Sequence, residues 1–116
     1  MGKVHRLLCA VAESDSTFRK QAVRGRETWV GPCIHCRRAI TVPLDEREPP
    51  SATLEHIVPR HHGGTDALDN LALACASCNH QKGRRLDWKR RADPTLSRVI
   101  DTLLARRRAQ MRASEP

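Results

Sequence analysis

Apolar residues recur at helical spacing near the end of the chain. They follow each other at intervals of three and four residues, which aligns them along one stripe of an amphipathic helix. An Asp-Pro pair at residues 93 and 94 precedes them and supplies a capping side chain, then a proline suited to the first helical turn. We therefore predict a helix from there to about residue 112, whose stripe packs on the domain or contacts a protein partner or a second copy. The stripe consists of Leu96, Val99, Ile100, Leu103 and Leu104.

The central part of the chain has the pattern of two short strands joined by a loop. The segment "ATLEHIVP" predicts a strand that ends at Pro59, and "LALA" at residues 71–74 predicts a second strand that returns beside it. Between them, "HHGGTDALDN" combines a glycine pair with Asp and Asn residues that favour turns. This pattern indicates a polar loop between two paired strands.

Two further helices are predicted from weaker patterns. Residues 16–26, "STFRKQAVRGR", follow a serine-rich start and predict a short helix that buries Phe18 and Ala22. From Ser77 onward, "SCNHQKGRRLDWKRR" predicts an exposed helix, which Gly83 weakens or ends. Only three residues of the chain are aromatic, so its hydrophobic core needs another source of stability.

The cysteines offer that stability. Four of the five form two pairs, Cys33-x2-Cys36 and Cys75-x2-Cys78. Two residues between the cysteines of a pair let both sulfurs turn toward one point, and two such pairs complete the tetrahedron that structural zinc prefers. Zinc is therefore favoured, with two disulfides or unrelated buried thiols as the alternatives. Cys9, among apolar neighbours, is expected to be a small buried hydrophobe.

The net charge of +8 is confined to one part of the chain. Residues 82–112 carry eleven basic and three acidic side chains, whereas the remainder is balanced. Such one-sided charge suits a polyanion such as nucleic acid, although a solvated tail or an acidic partner is an alternative. The apolar run "LLCAVA" is too short for an export signal, and no stretch could span a bilayer. We expect no membrane contact and a cytoplasmic protein of a bacterial or phage-infected cell.

These parts follow one another in a recognisable order. The chain reads C-x2-C, "LEHIVP", "GG", "NL" and "CASCNHQK" between about residues 29 and 84. In order and spacing this resembles the HNH endonuclease family, in its small, four-cysteine form. The resemblance implies an α+β fold with a ββα-metal core, in which a hairpin lies over a helix, with a structural zinc site and flanking N- and C-terminal helices. It also implies cleavage of DNA.

The resemblance assigns roles to four polar residues. It implies that His56 is the general base, that Asn70 braces the loop that orients His56, and that Glu55 and Asn79 bind a catalytic divalent metal. Glutamate stands at Glu55 where the family usually has aspartate. Neighbouring residues of a regular strand point to opposite faces, so Glu55 and His56 can share a site only if the strand is twisted or bulged there. Otherwise Glu55 is a surface acid.

The chemistry implied by the resemblance is hydrolysis of a phosphodiester bond. His56 would activate water, and the metal would stabilise the leaving 3′-oxygen. Oxygen ligands and several open coordination positions favour Mg²⁺ or Mn²⁺. Lys82, Arg84 and Arg85 are expected to grip the DNA backbone.

The other histidines have no role in the pattern. His61 and His62 are expected to be loop residues or substrate contacts. His35 is expected at an exposed turn, and His80 is expected to point away from Asn79.

We predict three regions: an extension with a short helix at residues 1–28, the zinc-stapled nuclease core at 29–92, and the basic amphipathic helix at 93–116. The alternative function is a catalytically inactive, zinc-stapled module that binds nucleic acid or serves as a scaffold. Retention of Glu55, His56 and Asn79 together favours the enzyme.

Overall fold

The structure is a computed structural model, and it describes residues 2–113 of the 116-residue chain. Within this range it contains three α-helices, five strands and short 3₁₀ or π-helical turns. The helices are α1 (Lys3–Ser14), α2 (Ala76–Lys82) and α3 (Pro94–Gln110). The strands are β1 (Arg19–Val23), β2 (Arg26–Pro32), β3 (Ala39–Pro43), β4 (Ala52–His56) and β5 (Leu71–Cys75). The predicted α+β class is confirmed.

The segment predicted as a helix at residues 16–26 is instead a β-hairpin. Strands β1 and β2 pair in antiparallel register, and the turn between them consists of Arg24 at φ 53° and Gly25 at φ 76°. Two successive residues with positive φ form the tight turn whose twist matches a hairpin. The spacing of Phe18 and Ala22 fits alternation as well as it fits a helical turn, which explains the wrong prediction.

A helix that the sequence analysis did not predict begins the described chain. In α1, the apolar run "LLCAVA" is amphipathic, and its residues Leu8, Val11 and Ala12 are buried at spacings of three and one. Cys9 is half-buried rather than fully buried, and its Sγ lies 3.6 Å from Nε2 of His5. Burial raises the pKa of the Cys9 thiol, and Glu13 adds to the effect.

The strands form two separate antiparallel sheets. One has the order β1-β2-β3, and the other is the β4–β5 hairpin. Every residue of β5 is buried, because the hairpin is covered by surrounding elements, including α1. The two predicted central strands are confirmed.

Helix α3 begins as predicted and packs onto the same core. The Asp93 carboxylate accepts a hydrogen bond from the backbone N–H of Thr95, and Pro94 is the first helical residue. Leu96, Ile100 and Leu103 are buried by the chain itself. Most of the apolar stripe therefore packs within the domain, and Val99 and Leu104 are half-buried against the core.

A buried arginine ties α3 to the rest of the molecule. The Arg107 side chain has no solvent exposure; its guanidinium donates to the carbonyl of Leu71 at 2.7 Å and to Oγ of Ser14 at 2.6 Å. Desolvation lowers the pKa of Arg107, and the nearby Asp15 carboxylate opposes that effect. The helices at the two ends of the described chain are thus joined to each other and to β5.

Candidate active site

Four cysteine sulfurs meet at one point of the structure. Within the described residues, the Sγ atoms of Cys33, Cys36, Cys75 and Cys78 all lie within 4.8 Å of one another, and none is in a disulfide. We call this group the cysteine cluster. Zinc–sulfur bonds of about 2.3 Å in a tetrahedron separate the sulfurs by roughly 3.8 Å. The Cys36 and Cys75 sulfurs are 4.0 Å apart, so the cluster fits a zinc ion.

Backbone N–H groups also point at these sulfurs. The N–H of His35 and the N–H of Cys75 both lie near Sγ of Cys33, at 3.4 and 3.3 Å. Burial, together with the adjacent Cys75 and Cys36 sulfurs, raises the pKa of the Cys78 thiol to about 12. Crowded thiols resist ionisation when no cation is present, and a bound dication reverses this preference. The cluster can therefore hold zinc, as its spacing predicted.

His56 is the last residue of strand β4, and its ring contacts one acidic and one basic side chain. Its Nε2 lies 2.7 Å from Oδ1 of Asp66 and 3.2 Å from Nε of Arg60. The hydrogen bond from His56 lowers the pKa of the Asp66 carboxyl, and Lys3, 3.2 Å from Oδ2, contributes further. Asp66 therefore remains an anion beside the imidazole ring. Sequence analysis had treated Asp66 only as a turn residue.

Asn70 makes the contacts that bracing the His56 loop requires. Its Oδ1 accepts from the backbone N–H of Val58 at 2.9 Å, and its Nδ2 donates to the carbonyls of Val58 and Thr65 at 3.1 and 2.9 Å. The backbone N–H of Ile57, next to His56, donates to the Asn70 carbonyl at 2.9 Å. The loop is thus fastened directly after the end of β4.

The double glycine closes the same loop. Gly63 has φ 88°, a conformation that favours glycine, and its N–H donates to the carbonyl of Arg60. A Cβ atom on Gly64 would lie 1.7 Å from the carbonyl oxygen of Val58. No larger residue fits at Gly64 without moving the backbone beside His56.

Glu55 does not join His56. Strand β4 pairs with β5 in unbroken register, with Glu55 opposite Ala72 and His56 opposite Leu71, so no bulge turns the two side chains toward one site. The Glu55 side chain is 1% exposed and its Oε1 lies 2.6 Å from Nε2 of His35. Its Oε2 is buried without a hydrogen-bond partner. Glu55 is therefore neither a surface acid nor part of the His56 site in this arrangement.

His35 is correspondingly not the exposed turn residue that was predicted. Its side chain is 21% exposed and reaches from the first cysteine pair to strand β4. A hydrogen-bond partner for a buried carboxylate is visible only once the fold brings residues 35 and 55 together.

Asn79 contacts strand β4 through its side-chain amide. Its Nδ2 donates to Oγ1 of Thr53 at 3.0 Å and to the carbonyl of Leu54 at 3.2 Å. The two ends of an amide point in opposite directions, so Oδ1 of Asn79 is directed away from these acceptors. His80, the next residue, is exposed.

His56 and Asn79 line one open cavity of about 460 Å³, which we call the His56 cavity. Two side chains that the sequence analysis did not assign to the site, Arg60 and Trp88, lie at its wall. The full lining consists of Leu54, His56, Pro59, Arg60, His61, Asn79, Gly83, Asp87 and Trp88.

The basic residues after α2 differ in their exposure. The Lys82 side chain is 2% exposed, and its Nζ lies 2.8 Å from Oδ1 of Asp87 and 3.3 Å from the carbonyl of His56. This placement contradicts the predicted contact between Lys82 and DNA, because the ammonium group is turned inward to hold the strand. Arg84 and Arg85 are exposed on the π-helical turn Gly83–Asp87.

His61 and His62 hold the same π-helical turn through its last residue, Asp87. The Nε2 atoms of both rings lie within hydrogen-bond distance of the Asp87 carbonyl, at 2.7 and 3.0 Å. His61 also lines the His56 cavity. Neither role could be inferred from sequence, since the contact joins residues about 25 positions apart.

The fold and the site together define a small α+β domain with a ββα core of β4, β5 and α2 and a four-cysteine cluster that could hold zinc. The model of the HNH endonuclease family matches residues 33–85. This segment, just under half of the chain, is similar to the HNH endonuclease family. Searches of curated proteins and of solved structures give no match. Within residues 2–113, no helix has the length and apolarity needed to cross a bilayer.

Proposed function

We propose that this protein is an endonuclease that hydrolyses phosphodiester bonds of DNA in the His56 cavity. The observation that carries the proposal is that His56 and Asn79 line one open cavity while an anionic carboxylate holds the imidazole ring from one side. The similarity of residues 33–85 to the HNH endonuclease family supports the same class of activity. The basic side chains around the cavity supply attraction for a polyanion.

His56 serves as the general base. With a proton on Nε2 directed at Asp66, the lone pair of the neutral ring is on Nδ1, which can accept a proton from water. Asp66 also stabilises the imidazolium that forms after this transfer, as a carboxylate does beside other catalytic histidines.

Arg60 is the proposed phosphate contact. A protonated Nε2 on His56 leaves no lone pair for Nε of Arg60, so that contact and the one between His56 and Asp66 exclude each other. In the catalytic tautomer, Arg60 keeps its bond to Asp66 at 3.1 Å and its 62% exposed side chain is available to a phosphate oxygen.

A divalent cation, Mg²⁺ or Mn²⁺, would supply positive charge for the leaving 3′-oxygen. Of the two predicted ligands, Asn79 fits, because it lines the cavity and its amide oxygen is not directed at the acceptors on β4. Glu55 does not fit, because its side chain is buried against His35. We therefore assign Asn79 to this cation and leave Glu55 out of the ligand set.

Cleavage of supercoiled plasmid DNA by the zinc-loaded protein tests the proposal. We expect nicked or linear product that depends on added Mg²⁺ or Mn²⁺ and is abolished in His56→Ala. Binding of DNA without cleavage, with every divalent cation tried, would overturn the proposal and favour the inactive zinc-stapled binding module.

A further inference from the structure

One large aromatic side chain is left in solvent beside the proposed catalytic residues. The chain has three aromatic residues, and two of them are buried: Phe18 is 1% exposed and Trp29 is 9% exposed. Trp88 is 70% exposed. Exposed apolar side chains are common, but Trp88 lies at the wall of the His56 cavity and offers a large flat face there.

Trp88 is firmly placed at the wall of the His56 cavity. The preceding residue, Asp87, is held by Lys82 through its carboxylate and by His61 and His62 through its carbonyl. Trp88 therefore follows a residue that is anchored from two sides. An exposed ring on an anchored backbone can accept a flat partner without the entropic cost of ordering a loop.

The charges around Trp88 are those of a nucleic-acid surface. Nζ of Lys89 lies 4.9 Å from the centre of the Trp88 ring. Arg84, Arg85 and Arg90 are exposed on the same stretch of chain. An aromatic platform bordered by cations is the combination with which proteins bind single strands, since bases stack on the ring while phosphates contact the cations.

We propose that Trp88 stacks on an unpaired nucleobase and makes the His56 cavity selective for single-stranded or locally unpaired DNA. In an intact duplex both faces of each base are already stacked, so the Trp88 ring has no free base to accept. The assignment of DNA as the ligand rests on the proposed function. The stacking contact itself requires only binding and not cleavage.

Fluorescence provides a direct readout of stacking. In a Trp29→Phe variant the only indole is that of Trp88. Zinc-loaded protein, with no other divalent cation added, is titrated with a single-stranded oligonucleotide and separately with the duplex of the same sequence. We expect the single strand to quench the Trp88 emission and the duplex to quench it much less.

Binding affinities of variants with Trp29 intact supply an independent measurement. We expect Trp88→Ala to weaken binding of the single strand by roughly 5- to 100-fold, because that is the range found when base–aromatic stacking is removed. Duplex binding should change by less than about twofold, as expected when stacking is absent. Trp88→Phe retains a ring and should preserve most of the preference. Leu68→Ala, which truncates another exposed apolar side chain outside the cavity, is the matched control.

Equal losses for single strand and duplex, or unchanged emission on saturation with the single strand, would overturn the stacking proposal. If the protein fails to cleave any DNA but shows the expected quenching and preference, the endonuclease proposal fails and the stacking proposal stands. If the protein cleaves DNA but Trp88→Ala weakens binding of the single strand and the duplex equally, the endonuclease proposal stands and the stacking proposal fails.

Discussion

The cysteine cluster and the His56 cavity are neighbours that depend on different interactions. The cluster consists of four chemically identical ligands from two short segments, all suited to one ion. The cavity depends on separate hydrogen bonds made by Asp66, Asn70 and Asn79. Loss of a bound ion would remove every contact of the cluster at once, whereas loss of one hydrogen bond would alter the cavity by degrees. If zinc binds and the proposed function holds, we expect stability to depend mainly on the cluster and the reactivity of His56 to depend on several contacts of the cavity.

Removal of zinc should have the largest effect. A structural zinc site contributes an apparent binding free energy of about 10–16 kcal/mol near neutral pH, which is of the same order as the roughly 5–15 kcal/mol by which a whole domain is stable. We expect Cys75→Ala, or treatment with a chelator, to abolish the cooperative thermal transition seen by circular dichroism. Cys9→Ala is the matched control and should melt within a few degrees of the natural chain. A cooperative transition in the metal-free protein would contradict this view of the cluster.

The Glu55–His35 contact connects the two regions, and breaking it should have the next largest effect. Removing one partner of a buried hydrogen bond costs about 1–3 kcal/mol, because the other group is left without its partner. We expect Glu55→Ala to lower the free energy of unfolding by that order, measured by urea denaturation.

A double-mutant cycle with His35→Ala identifies the origin of this loss. If the two residues stabilise the fold through their mutual contact, the double substitution should lower the free energy of unfolding by less than the sum of the two single substitutions. Additive effects would mean that Glu55 stabilises the fold through another contact. A different outcome would return Glu55 to the metal site: Glu55→Ala loses affinity for Mg²⁺, and Glu55→Asp restores that affinity without a change in stability.

Substitution of Asp66 tests the role of the His56 cavity in cleavage and leaves the cysteine cluster intact. We expect Asp66→Asn to slow DNA cleavage by roughly 10- to 1,000-fold, because the amide neither fixes the Nε2 tautomer of His56 nor stabilises its charged form. The thermal transition should be nearly unchanged. Cleavage at the natural rate would show that the carboxylate does not assist His56.

The dependence of stability on pH in the acidic range provides a second test of Asp66. The pKa of Asp66 is below its ordinary value of 3.8 in the folded chain. Its contribution to stability is therefore present above that ordinary value and is lost as the pH falls through the lowered pKa. Asp66→Asn should lack this part of the decline in acid unfolding experiments.

The smallest effects should come from the exposed arginines after α2. Arg84→Ala and Arg85→Ala each remove one cation from the surface, so each should weaken DNA binding a few-fold and reduce the salt dependence by about one counterion. Neither should alter the thermal transition. Binding that is insensitive to salt would exclude a phosphate contact at these positions.

Much of the fold could be predicted where local patterns decide the structure. Strands β4 and β5 and the start of α3 followed from proline, glycine and capping signals. The hairpin β1–β2 could not, because its turn is Arg-Gly rather than a strong turn signal such as Asn-Gly, and its outer strand is mostly exposed.

The candidate site, like the fold, could be predicted where its residues belong to a local sequence pattern. His56, Asn70 and Asn79 belong to one compact motif, and the spacing of the cysteines indicates their common ligand. Contacts between distant residues left no local signal: the His35–Glu55 pair, the bond between His56 and Asp66, and the inward turn of Lys82 all depend on the folded chain.

The most direct test of the account compares His56→Ala with His80→Ala, which alters an exposed histidine outside the cavity. Rates of plasmid cleavage, affinity for DNA and thermal transitions are measured side by side for both zinc-loaded variants. We predict that His56→Ala lowers the rate by about 10²- to 10⁴-fold with binding and stability retained, while His80→Ala matches the natural chain. Equal cleavage rates for the two variants would contradict the assignment of His56 as the general base.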